Sequence, residues 1–313
     1  MAKNFDEMED SNRSGNASIH EVSDPARRSV LRLSVGAAAS ALFTPWLAGC
    51  AAGAAPASGP RIAFEGIGIG TTDALTVPKG YVAEVIAAWG EPIGVAGSMP
   101  AWRDDAGNSA ADQEVQMGMH HDGIHFYPLD GSRRGLLVMN HEYTDDGLLH
   151  TDGQKDWSAE KTRKSQAAHG VAVVEVVQEG GSGGRWQMVR PSRYARRFTA
   201  ASPFGVSGPA AGHPLMRTAA DPSGRRVLGT LNNCASGMTP WGTYLSGEEN
   251  WAFYFQGGDS RTADQVRWGM RANASYAWWR TDERWDARKH PNEFHRFGWV
   301  VEIDPHDPGS TPM

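Results

Sequence analysis

Cysteine is nearly absent: Cys50 and Cys234 are the only two in 313 residues, too few for a disulfide framework. Basic clusters are lacking as well. Outside the leader described below, no run of Lys and Arg exceeds two residues, and the formal net charge is -6. That balance lacks the electrostatic footprint of a nucleic-acid binder, so nucleic acid is not an expected partner. The main apolar stretch near the N-terminus, residues 30–47, is interrupted by Arg32 and diluted by Ala and Gly, which makes it too weak and too short to cross a bilayer. No HExxH, GxSxG elbow or P-loop occurs. Gly66, Gly68 and Gly70 imitate a dinucleotide loop but lack the third-glycine spacing and the helix that should follow.

What is present is rich in turn-formers and indole: Gly 37, Pro 18 and Trp 12. Short apolar runs at 81–89, 135–143, 169–177, 185–189, 225–231, 241–249 and 297–304 alternate with connectors such as GSGG, DPSGRR and QGGDS. Only residues 158–168 read as helix. Many short strands between Gly-rich turns predict an all-β fold: a sandwich, barrel or propeller. Several of these runs end in polar residues, among them Asn140-His141-Glu142, Glu248-Glu249-Asn250 and Glu302. Strands that deliver carboxylates to one end suit a propeller, whose blades converge on a central channel.

Residues 1–50 read as a polar leader followed by an export signal, with Arg27-Arg28 ahead of the weakly apolar stretch and small residues after it. Paired arginines direct folded proteins to the twin-arginine export machinery. Leu47-Ala48-Gly49-Cys50 has the form of a lipobox; lipidation of Cys50 would tether the mature chain, and ordinary cleavage would release it. Either outcome places the protein in the periplasm or at the cell surface. Residues 51–60 are a small-residue linker, and 61–313 form the folded domain. Cys234 is then the mature chain's one cysteine, and it is a buried hydrophobe, a reactive thiol or a metal ligand.

The polar clusters bear on that choice. Residues 119–129 carry His120, His121, Asp122 and His125; residues 140–147 carry His141, Glu142, Asp145 and Asp146; His213 sits in a Gly-rich loop; and Glu248 and Glu249 follow Cys234 by one hairpin's length. Carboxylates suit hard cations such as calcium, whereas a thiolate beside carboxylates suits iron or zinc. The histidines flanked by Tyr and Phe read as hydrogen-bonded structural residues, and Asp145-Asp146 before Gly147 reads as a solvated turn. Glu142 ends an apolar strand, where a carboxylate needs a partner or a metal. Strand alternation puts Glu248 and Glu249 on opposite faces, so one of them at most points inward with ease.

The segments GMHHDGIHFYPL, LLVMNHEYTDDGLLH, SQAAHGVAVVEV, SGPAAGHPL, VLGTLNNCASGMTPWGTYLSGEEN and FGWVVEIDPHDPGSTP, together with the twin-arginine leader, resemble the PhoX-type alkaline phosphatases, in order, from about residue 60 onward. The resemblance implies a β-propeller phosphomonoesterase that acts on phosphoesters with an iron–calcium cluster. It implies iron bound by Cys234 and Glu249, and places Glu142 and Glu248 among the calcium ligands. The family's chains run further, and their later part supplies more carboxylates and a phosphate-contacting arginine. The sequence therefore reads as the N-terminal part of an incomplete propeller, expected to be inactive alone. The alternative is a non-catalytic truncated propeller lipoprotein without a complete metal site.

Overall fold

The computed structural model describes residues 65–180 and 183–313. The twin-arginine pair and Cys50 lie outside the described residues. Contact density divides the chain after Tyr81. Residues 65–81 have little regular structure, and the architecture below belongs to Val82–Met313.

That unit is mostly β. Strands β1 (His121–Asp130), β2 (Arg134–His141) and β3 (Gly170–Gln178) run antiparallel in that order. Two short strands, β4 (Trp186–Met188) and β5 (Arg196–Phe198), share the far edge of β3: β4 pairs with Val176–Gln178 and β5 with Val171–Val173. A second sheet orders β10 (Val300–Ile303), β9 (Tyr244–Glu248) and β8 (Asn233–Met238), and a third pairs β6 (Pro203–Gly205) with β7 (Arg226–Leu228). Among the described residues no sheet closes into a ring. Among the described residues the longest helix, Ala159–Ala168, starts where Ser158 accepts a hydrogen bond from Lys161 N, a side-chain N-cap that satisfies one free amide of the first turn.

The run GVAVVEV on β3 is buried throughout because both of its faces are covered. Val171 and Val173 join Leu136 and Val138 of β2 in one cluster, while Ala172, Val174 and Val176 pack with Met139, Ile93 and Met117 in another. An antiparallel strand normally alternates apolar and polar residues; double cover removes that requirement. Glu175 interrupts the run but is neutralised, accepting hydrogen bonds from Arg134 Nε at 2.6 Å and Ser192 Oγ at 2.5 Å. The first cluster, with Trp157, Trp251 and Trp279 packed against it, also takes in Tyr254, Phe255, Trp278, Trp285, Phe294 and Phe297. Each such ring contributes about 2–3 kcal/mol through the water it sheds.

Residues 81–89 form no strand; Val82 and Val85 are exposed, and alternation without a partner strand does not make a ladder. Conversely, β1, β8 and the short β5 and β6 are not among the expected strands.

Candidate metal centre

Two of the unanticipated strands, β1 and β8, are bulged. On β1 the register moves from His121↔His141 to Ile124↔Met139, so Asp122 and Gly123 together face the single residue Asn140. On β8 it moves from Asn233↔Glu248 to Ser236↔Ser246, so Cys234 and Ala235 face Gly247. A bulge re-aims the side chains it carries and increases local twist. Here one bulge carries a carboxylate and the other a thiol, and β1 and β8 lie against each other. Gly123 permits the approach: a Cβ there would lie 2.5 Å from Ser236 Cβ and 2.7 Å from Cys234 O.

Asn140, fully buried at the end of β2, joins the two bulges. Its Nδ2 donates to Cys234 O at 2.7 Å and more distantly to Ala235 O, while the Tyr244 hydroxyl lies 2.8 Å from its Oδ1 and 2.9 Å from Gly123 O. The next turn of chain brings Glu142 in, its N–H donating to His120 O at 3.0 Å.

The result is a cluster in which one ligand atom each of Asp122, Glu142 and Cys234 lies within 4.8 Å of the others. Asp122 and Glu249, hydrogen-bonding to the thiol, combine with desolvation to push Cys234 up to about 12. Burial raises Glu142 as well, helped by the neighbouring charges of Asp122 and Glu249. No Lys or Arg forms an ion pair with Asp122, Glu142 or Glu249 among the described residues. A thiol crowded by acids without a positive neighbour is the donor set a cation completes: metal binding deprotonates the thiol and offsets the repulsion.

Of the residues singled out by sequence, Cys234, Glu142 and the exposed Glu249 thus come together. Glu248 points elsewhere. Its Oε1 accepts from Thr230 Oγ1 at 2.8 Å and Leu231 N at 3.3 Å, and its Oε2 from Gly298 N at 2.7 Å and Trp299 N at 3.2 Å. Four donors fill the roughly four lone-pair positions of a carboxylate, leaving none for calcium. Burial lifts its carboxyl to about 7 despite these donors.

The histidines have protein partners. His120 stacks on Tyr143 at 3.9 Å, His121 Nε2 lies 3.2 Å from Gly118 O, and His213 Nδ1 accepts from Leu215 N. The expected solvated turn divides in two: Asp145 caps the helix Asp146–Leu149, but Asp146 is buried, with Thr144 Oγ1 at 3.1 Å. Cys234 lies on β8. Asp122 was noted in sequence only as part of a His-rich cluster. The signal for it is Gly123, since a glycine inside an otherwise strand-like run marks a bulge or a close backbone approach.

Comparison with known proteins bears on the same segments. The family described as Alkaline phosphatase PhoX matches residues 62–313. A solved structure of Pseudomonas fluorescens PhoX, in complex with vanadate as a transition state analogue, is similar with a TM-score of 0.75 and 45% sequence identity. The alignment covers 80% of this chain and 43% of that one, so the chain spans less than half the length of that relative. No curated protein matches. The match across both bulged strands and the hairpin between them shows that this chain belongs to the PhoX alkaline phosphatase family.

Proposed function

We propose that the chain belongs to a metal-dependent phosphomonoesterase acting outside the cytoplasm, with iron and calcium as its metals. The observation that carries this is the Asp122–Glu142–Cys234 cluster, acidic and without a cationic partner, set in a stretch that matches phosphatases. Cys234 and Glu249 would hold iron, to which a thiolate with carboxylates is suited. Glu142 and Asp122 offer the hard oxygen donors that calcium prefers. When bound, the cations would neutralise phosphate oxygens and the charge that develops on them during transfer.

The protein's own part is orientation. Asn140 fixes the two bulges relative to each other, and Gly123 lets them approach. The double-covered β3 gives β2, and hence Asn140 and Glu142, a rigid base. The three antiparallel sheets are read as blades of a β-propeller. Export by the twin-arginine machinery, with a lipid tether at Cys50 or release after cleavage, is supported by Arg27-Arg28 and by the sequence ending at Cys50.

The test is metal analysis and p-nitrophenyl phosphate turnover of the exported protein purified from its cell. Cys234→Ala should lose iron and turnover together, and vanadate should inhibit the parent competitively. A Cys234→Ala protein that keeps both its iron and its turnover refutes the assignment.

A further inference from the structure

We propose that Asn232 is a positioning residue that sets the spacing of the metal ligands, a role that rests on the metal reading above. Asn232 is 4% exposed and has φ +49, in the left-handed region that Asn tolerates better than other side chains. That conformation turns its backbone oxygen and its side-chain amide toward chain segments bearing the candidate ligands. Its backbone oxygen accepts from Glu249 N at 2.9 Å, and its Oδ1 accepts from Asn250 N at 2.6 Å. Its Nδ2 faces Glu142 O at 3.5 Å and the Tyr254 hydroxyl at 3.2 Å. Cys234 follows two residues later. One side chain thereby ties the strand leading to the thiol, the segment holding Glu249 and the segment holding Glu142.

The direction of every hydrogen is determined by the neighbours. Asn250 N can only donate and Glu142 O can only accept, which fixes the amide orientation. On the far side, His169 Nδ1 lies 2.7 Å from Ser165 O, a carbonyl, so Nδ1 carries the proton and Nε2 accepts. The Tyr254 hydroxyl, 2.9 Å from Nε2, therefore donates to His169 and receives from Asn232. Tyr254 is 1% exposed and stacks on Tyr276 at 4.2 Å, so this backing does not swing. Second-layer groups of this kind orient metal ligands, and their loss costs metal affinity without removing a ligand.

Asn232→Gly separates the side chain from the turn, because glycine adopts positive φ freely and keeps the carbonyl that receives Glu249 N–H. The measurement is cobalt(II) titration of the full chain, followed by thiolate-to-metal charge-transfer absorbance. The parent should show the band. Asn232→Gly should reach a comparable absorbance at saturation, with a dissociation constant raised roughly 10–100-fold and an unfolding midpoint, measured in chelator, close to the parent's. Asn232→Asp should weaken binding similarly, since its second oxygen would confront Glu142 O. If Asn232→Gly does not fold, Tyr254→Phe decides: it removes the backing hydroxyl and should weaken cobalt in the same direction, and unchanged affinity there overturns the proposal. So does an Asn232→Gly affinity within twofold of the parent while the parent binds. A parent that shows no thiolate–cobalt band refutes the metal reading itself, and the role of Asn232 with it.

Discussion

Glu248 and Glu249 are chain neighbours in opposite circumstances. The first sits in a buried pocket where four protein donors, three of them backbone amides, fill its oxygens. The second is exposed and, with Asp122, raises the pKa of Glu142 and of the Cys234 thiol. The carboxylate oxygens of Glu248 and the ring nitrogens of His169 all have partners within the protein. Around Cys234 the complement is missing and must come from outside. Acidity and position in the sequence do not separate a structural carboxylate from a ligand; the inventory of donors around it does.

The strongest way to break this contrast is at Glu248. Glu248→Leu strands four donors, two or more of them buried, and should destabilise by about 3 kcal/mol or more. A lowered denaturation midpoint at unchanged m-value would register this. A Leu variant as stable as the parent that nevertheless lost its iron would invert the roles assigned to the two glutamates.

Acid should find the satisfied interior next. Burial lowers His169 to about 3 and His150 to about 4, so both are neutral in the folded chain while the unfolded chain takes up protons near pH 6.5. Between those values the unfolded state binds more protons, and stability rises with pH. The contribution is whole above about 6.5 and is lost as pH falls toward the folded values. His169 alone predicts about 2 kcal/mol less stability at pH 5 than at pH 7. Asp146, raised to about 6 by burial, and Glu248, raised to about 7, work in the opposite sense and offset much of the drop. Urea midpoints in chelator at the two pH values, compared between the parent and His169→Gln, isolate the histidine's share, and the same pH dependence in both would mean that His169 is hydrated.

The smallest effect sharpens the other half of the contrast. With metal removed, Asp122→Asn relieves repulsion in the acid cluster and should stabilise the chain by about 1 kcal/mol, the usual reward for relaxing a functional site. Metal binding should fall at the same time. A variant less stable than its parent in chelator would show that Asp122 is held by the protein rather than waiting for a cation.

Much of this was readable in advance. The strands β2, β3, β9 and β10 and the helix Ala159–Ala168 follow from apolar runs and a Ser cap. The opposite facing of Glu248 and Glu249 follows from strand alternation, though which one faces inward to protein donors does not. That depends on Gly298 and Trp299, distant in sequence and brought in beside β9 by β10. β1 and β8 escaped because their bulges break the period of two on which strand recognition depends, and those breaks are where Asp122 and Cys234 lie. The high Trp content could not say that a cluster of aromatic rings covers β3 from one side.

The extra residue at Asp122–Gly123 also determines parity along β1 as far as Pro128, after which a second register shift intervenes. Up to that point each side chain faces opposite to where an unbroken count from His121 would put it, and Tyr127 is buried as a result. Deleting Gly123 would restore a regular ladder, turn Tyr127 toward solvent and bring its neighbours Phe126 and Pro128 to the face it had occupied. The bulge that carries Asp122 and the hydrophobic core are thus written in the same residue count. The chain could not revert to a smooth, metal-free sheet by losing one residue without also exchanging the inside of β1 for its outside.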